Sequence, residues 1–273
     1  MKKIAIVLMF SLTAFVPVVN LTPTAYNVYS PDLIYQNSQL VMYSGGWLVA
    51  SDIPHDAIYR SVCSSPSVCG TPVKVLDAAP IYQINDPSIV RMAGGYYIMY
   101  MTGNTGTVNN IYFSTSWDGI LWGPPTLLIA AHWLPSATVK DGHVYLHATQ
   151  SGPLELYDLG VSGVGVGTPE NLTMPDTGYY WLNVDVVYQP SISMWQMVGE
   201  NFYYDQSSQY IDYLYSFDGV NWYMGAEKII VAEAGKSVRT PAMHPGTAYF
   251  VYYGCSPTRD GMSNQICFYD WSQ

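Results

Sequence analysis

The sequence predicts an all-β chain folded as a five-bladed β-propeller of four-stranded antiparallel blades. Short apolar and aromatic runs alternate with Gly, Pro, Asn and Asp turns, and no stretch sustains a helical period. One unit, a short strand followed by a turn and an aromatic-rich strand, recurs five times. Its spacings are 56, 48, 49 and 56 residues, the length of a four-stranded blade.

The repeats run in order along the chain. The first is Ser30-Pro31-Asp32-Leu33-Ile34 with Gln39-Leu40-Val41-Met42-Tyr43, and the second is Asp86-Pro87-Ser88-Ile89-Val90 with Tyr96-Tyr97-Ile98-Met99-Tyr100. Leu134-Pro135-Ser136-Ala137-Thr138 opens the third, Asn183-Val184-Asp185-Val186-Val187 the fourth and Arg239-Thr240-Pro241-Ala242-Met243 the fifth. Asp32, Ser88, Ser136, Asp185 and Pro241 are taken as equivalent. Ser116-Trp117-Asp118-Gly119 returns as Ser216-Phe217-Asp218-Gly219, each followed by a Trp three residues later. These are scaffold: Asp-Gly supplies the positive φ of a tight turn, and Trp122 and Trp222 fill space between sheets. Residues 26–29 remain as a strand to pair with the last blade and close the ring. A pair of β-sandwiches would explain the short strands but not the repeat.

Residues 1–25 read as a secretory leader with a poorly marked cleavage site: two lysines precede an apolar run, and Ala25 is one possible end. The run is too short, and too broken by Pro17, for a stable membrane span, although an uncleaved tether is the alternative. Residues 26–273 then form one domain, secreted or periplasmic. Four cysteines allow three pairings, and the local set, Cys63 with Cys69 and Cys255 with Cys267, suits an oxidising compartment. Twenty acidic against ten basic residues leave a net charge of −10, which argues against a nucleic-acid partner.

In a propeller the innermost strands begin around one axis, so the repeat starts converge. Ser30, Asp86, Leu134, Asn183 and Arg239 form one ring, and Asp32 and Asp185 join it two residues later. Arg239 among Asp32, Asp86 and Asp185 can hold their charges or grip a hydroxyl. Trp47, Asp52, Asp56, Trp133, His147 and Glu200 fall at the rim, where rings beside polar groups suit a sugar's C–H face and hydroxyls. No cofactor is expected, no metal-ligand pattern occurs, and an axial Ca2+ has no motif to support it.

Ile84-Asn85-Asp86-Pro87-Ser88-Ile89-Val90, followed by Gly95-Tyr96-Tyr97-Ile98-Met99-Tyr100, resembles the catalytic first blade of five-bladed propeller glycosidases, glycoside hydrolase families 43 and 32. Trp133-Leu134-Pro135-Ser136 resembles the following blade of arabinanases and β-xylosidases. The resemblance implies three carboxylates: an Asp base or nucleophile, matched by Asp86, a second Asp that tunes pKa, and a Glu acid. With Asp86 in the first blade, the other two fall at Asn183 and Arg239; shifted by one blade, they fall at Leu134 and Asn183. Asp185 and Glu200 are the nearest replacements. The expected catalytic set is therefore Asp86, Asp185 and Glu200, with Asp32, Arg239, Asn183, Trp47, Trp133 and His147 binding an oligosaccharide or polysaccharide. Two other classes share this hub, a non-catalytic carbohydrate-binding propeller and a protein-interaction platform.

Overall fold

A computed structural model describes residues 17–18, 27–48, 55–150, 153–202, 209–257 and 264–272. The chain is a five-bladed β-propeller. Blade one contains β1 (Asn27–Gln36), β2 (Gln39–Trp47), β3 (Ala57–Ser65), the short β4 (Val68–Cys69) and β5 (Val73–Leu76), the last two both pairing with β3. Blade two runs β6 (Gln83–Arg91), β7 (Tyr97–Asn104), β8 (Asn109–Ser116) and β9 (Thr126–Ile129). Blade three is β10 (Trp133–Lys140), β11 (His143–Thr149), β12 (Leu154–Asp158) and β13 (Glu170–Asn171). Blade four is β14 (Tyr180–Gln189), β15 (Met194–Phe202), β16 (Gln209–Ser216) and β17 (Trp222–Val231). Blade five has β18 (Ser237–His244), β19 (Thr247–Ser256) and β20 (Gln265–Asp270). Both disulfides are the local pairs, one between β3 and β4 and one between β19 and β20.

Each innermost strand carries an irregularity near its start, where the pairing with the second strand shifts. In four blades the residue before a proline takes a left-handed conformation there: Ser30, Asp86, Leu134 and Thr240, with φ from 46° to 57°. Such bulges re-aim a side chain, and here they set the hub. They also correct the fifth repeat by one residue. Thr240, not Arg239, is equivalent to Ser30, and Ala242, not Pro241, to Asp32, since Asp32 faces Tyr43 as Ala242 faces Tyr252. The X-Pro pair fixes the frame, because the left-handed residue and its proline occupy the bulge together.

Neighbouring blades are joined by a repeated clasp. Asp32 accepts the Ile89 amide at 2.5 Å, Ser88 the Ala137 amide at 2.9 Å, Ser136 the Val186 amide at 2.8 Å and Asp185 the Met243 amide at 2.7 Å. Facing these residues across the first strand pair stand Tyr43, Tyr100 and His147, which reach into the next blade. Tyr43 donates to Gly119 O and Tyr100 to Gly163 O, each at 2.6 Å, while His147 packs on Trp195 and Trp222. The Asp-Gly turns are scaffold as expected: Ser116 and Asp118, like Ser216 and Asp218, accept their own turn amides.

The seam between blades five and one closes differently, because Ala242 offers no acceptor. Residues 27–29 belong to β1 and pair with β2 rather than adding a strand to the last blade, but they do join that blade, since Val28 donates its amide to Asn264 O at 3.0 Å and Asn264 donates to Asn27 Oδ1. Pro17 instead bridges Cys267, and Val18 donates its amide to Ile266 O at 3.0 Å and accepts the Cys69 amide at 2.7 Å. Val18 is 3% exposed, inside a cluster with Leu33, Leu40, Ala242 and Tyr252. Two residues read as leader thus staple the ring. The remaining residues of the 1–25 segment lie outside the described residues.

Two outcomes are expected in urea unfolding. Ser136→Ala strands the buried Val186 amide and loses about 1–3 kcal/mol. A chain beginning at residue 26 loses roughly 2–4 kcal/mol against one that keeps Pro17 and Val18, the value of one buried valine and two hydrogen bonds.

Candidate functional site

The bulges turn the repeat starts inward, and a cavity opens on the axis between Ser30, Asp86, Leu134, Asn183 and Thr240, with Asp32 and Asp185 deeper. Its volume is about 40 Å³. That is room for about three water molecules. It is a floor rather than a pocket for a whole sugar ring. The second strands end at this face, and Asp52, with most of the residues that link them to the third strands, lies outside the described residues.

A continuous set of hydrogen bonds runs around four of the five blades. Ser30 Oγ donates to Asp86 Oδ1 at 2.5 Å, the Ser30 amide donates to Thr240 Oγ1 at 3.0 Å, and the Thr240 amide donates to Glu200 Oε2 at 3.0 Å. Asn183 Nδ2 donates to the same Glu200 oxygen. Thr102 and Glu200 fill one structural position, each accepting the amide at the next blade's bulge, since Leu134 N donates to Thr102 Oγ1 at 2.9 Å. Where blade two carries a hydroxyl, blade four carries a carboxylate. The third blade contributes Leu134 and Pro135, so one wall of the floor is apolar.

Burial dominates the electrostatics. It pushes the Asp86 carboxyl up to about 6, against the hydrogen bonds from Ser30 and Thr102, with the Asp56 charge adding to the rise. Asp185 is likewise pushed up to about 6 by burial, opposed by the Met243 amide and Ser136. Asp32 rises well above its ordinary value through burial and the nearby charge of Asp185. Burial raises Glu200 as well, opposed by the Thr240 amide, Asn183 and the Arg239 charge and reinforced by Asp86. Carboxyls crowded in a narrow hub resist ionising together.

Of the sequence-predicted residues, Asp86, Asp32, Asp185 and Asn183 line the cavity together. Asp32 has one oxygen committed to a clasp and Asp185 has both held, Oδ2 by the Met243 amide and Oδ1 by Ser136 Oγ, whereas Asp86 is held by the hydroxyls of Ser30 and Thr102. Glu200 is 2% exposed and stands behind Asn183 and Thr240 rather than in the wall. Arg239 falls one position before the bulge, half-buried, close enough for its charge to act on Glu200. Trp47 is buried opposite Asn27 at the end of β2, and Trp133 is half-buried opposite Thr149. His147 is fully buried between blades three and four, where burial pushes its imidazole down to about 4. These three are not brought to the floor.

Sequence reading missed Tyr29, Asn85, Thr102 and Thr240. Tyr29 OH donates to Asp56 Oδ2 at 2.5 Å, and Asn85 Nδ2 donates to Tyr29 OH at 3.0 Å, forming a buried polar group behind Asp86. The recurring X-Pro pair is the signal that identifies Thr240. Among the described residues, no three His, Cys, Asp or Glu side chains are grouped to hold a metal.

No family model matches the chain, and no curated protein matches it. Solved structures do match. A thermostable family-43 glycoside hydrolase superposes with a TM-score of 0.71 at 12% identity, over 94% of this chain and 92% of that one. The α-L-arabinofuranosidase PaAbf62A from Podospora anserina, solved with cellotriose, gives 0.70 at 11% identity over 93% and 94%. An N-acetylgalactosamine deacetylase from F. plautii, solved with blood group B trisaccharide, gives 0.70 at 14% identity over 93% and 94%. The chain has the fold of the five-bladed propeller glycosidases, and at such identities the likeness is one of fold.

The raised carboxyls give stability a pH signature. Asp185 titrates from about 6 in the folded chain against 3.8 unfolded, so its share of stability is full below about pH 4 and lost as pH rises through about 6. That share amounts to as much as about 3 kcal/mol. Urea unfolding across this range should show the decline in the wild type and a flatter profile in Asp185→Asn.

Proposed function

We propose that the protein is an exported, glycan-active propeller that hydrolyses a glycosidic bond over the axial carboxylates. Asp86 acts as base or nucleophile and Glu200 as proton donor. The observation that carries the reading is the hydrogen-bonded series Asp86–Ser30–Thr240–Glu200, which ties two carboxyls from blades two and four into one fixed arrangement. A base poised near 6 and a second carboxyl whose pKa burial raises suit the two roles that glycoside hydrolysis requires. As base, Asp86 takes the proton of the attacking water while Glu200 protonates the departing oxygen. As nucleophile, it forms a glycosyl ester that water then opens. Asp185 and Asp32 keep the floor acidic, and Asn183 and Arg239 hold Glu200 and sugar hydroxyls. Leu134 offers an apolar wall to a C–H face.

The folds of known glycoside hydrolases support a carbohydrate ligand, and two disulfides suit a secreted or periplasmic site. No helix among the described residues is long and apolar enough to cross a membrane. A leader cut after Ala25 would remove the Val18 staple, so the reading favours processing upstream of Pro17. A non-catalytic, carbohydrate-binding hub is the second reading, favoured by the burial of Glu200 behind the cavity wall.

The test is hydrolysis of aryl arabinosides, xylosides and fructosides. The wild type should turn over one class, with activity rising as pH climbs through about 6, and Asp86→Asn should lose at least about 100-fold in kcat. Saturable glycan binding by calorimetry without turnover in the wild type would select the second reading.

A further inference from the structure

A second cleft lies at the opposite end of the barrel of blades. It sits between blades four and five, where β14 ends, β18 turns into β19 and the chain leaves β20. Gln189 on its edge is six residues along β14 from Asn183, about 20 Å from the hub floor. The cleft measures about 380 Å³. That is within the usual size of a small-molecule site, and far larger than the hub's floor.

Its lining is aromatic and amide, with no charged side chain: Tyr213, Tyr249, Trp271, Gln189, Gln196 and Ile192 are its principal members. The rings are fixed rather than loose. Trp271 donates its indole N–H to Ala248 O at 2.8 Å and its amide to Tyr249 O at 3.0 Å, which sets it between two tyrosines. Its ring centre lies 5.2 Å from that of Tyr213 and 5.3 Å from that of Tyr249. Gln196 Nε2 donates to Tyr213 OH at 2.7 Å, so the phenol keeps its own proton to donate. Tyr249 is 52% exposed and Ile192 56%.

This chemistry selects its occupant. A nucleic acid or an anionic polymer needs cations, and the chain carries a net charge of −10 with none in the cleft. A charged peptide finds no counter-ion there. A lipid tail has no use for oriented amide and phenol groups, which would be desolvated without partners. A neutral pyranose or furanose uses both parts, placing its C–H face on the rings and its hydroxyls on Gln196, Gln189 and Tyr213. We infer that the cleft between blades four and five is a second, non-hydrolytic binding site for an uncharged polysaccharide chain. It holds the polymer on the face away from the hub. The inference rests on the glycan-active reading, but it concerns different residues.

Affinity electrophoresis of the full chain through gels containing arabinan, xylan or mannan tests it, alongside the aryl-glycoside assay. The wild type should be retarded by at least one polymer. Asp86→Asn, which stops turnover, should be retarded equally, and Tyr249→Ala should weaken retention at least tenfold. Trp271→Ala should do the same. Because Trp271 packs into the blade, Tyr249→Ala is the deciding variant, with its thermal melting followed in parallel. Retention unchanged in a folded Tyr249→Ala protein overturns the inference. Hydrolysis of aryl glycosides without retention by any polymer overturns it while leaving the hub reading intact, whereas absence of both removes the two together.

Discussion

The structure depends on a hydrogen bond made between blades rather than within them. A side-chain oxygen on one innermost strand accepts a backbone amide of the next, at Asp32, Ser88, Ser136 and Asp185 in turn. Each sheet satisfies its own ladder, but the amides facing the axis have no neighbour in their own blade. Left unpaired in a narrow hub, each would cost as much as the clasp contributes. The clasp therefore ties each innermost strand to the next at four of the five seams. Behind it, Tyr43, Tyr100 and His147 repeat the joint with larger groups, using the carbonyls or rings of the following blade.

The same constraint explains why the hub is acidic and yet only partly available for chemistry. A carboxylate at a clasp position does the work that serine does elsewhere, so Asp32 has one oxygen and Asp185 both oxygens committed to scaffold. The excess charge shows as raised carboxyl pKa values. Glu200 is the parallel case one layer up, where it holds the amide of Thr240 as Thr102 holds that of Leu134. Replacing a hydroxyl by a carboxylate at a structural joint is how this fold places ionisable groups at its axis without breaking it. Asp86 differs from the others because it sits at the left-handed bulge itself, lines the cavity and is held by hydroxyls rather than by a clasped amide.

The closing seam is the exception that the rest of the ring makes necessary. Ala242 cannot clasp, and the ends of the described chain meet there. Asn264, Asn27 and Val18 supply the missing bonds, and the Cys63–Cys69 and Cys255–Cys267 bridges stiffen the two blades on either side. On the opposite face aromatic side chains gather around Trp271 in the cleft between blades four and five.

Periodicity determined the fold class and the blade count, because each blade is a local hairpin unit whose turns and alternation are written in adjacent residues; the cysteine pairing was favoured instead by short spacing and an expected oxidising compartment, and the structure has those local pairs. The convergence of Asp32, Asp86 and Asp185 on one axis followed from the same repeat. Its register in blade five did not, since Arg239 and Thr240 differ by one residue and only the bulge, a product of pairing with the second strand, decides between them. Nor could the sequence separate scaffold from site: Asp32, Asp185 and Glu200 read as free carboxylates until their partners, Ile89, Met243 and Thr240, are seen to arrive from the neighbouring blade. His147 and Trp47 read as rim and are interior, because which face of a strand meets the next sheet depends on how the blades twist against each other. Contacts between residues about 50 apart in the chain are fixed by packing, and no local pattern encodes them.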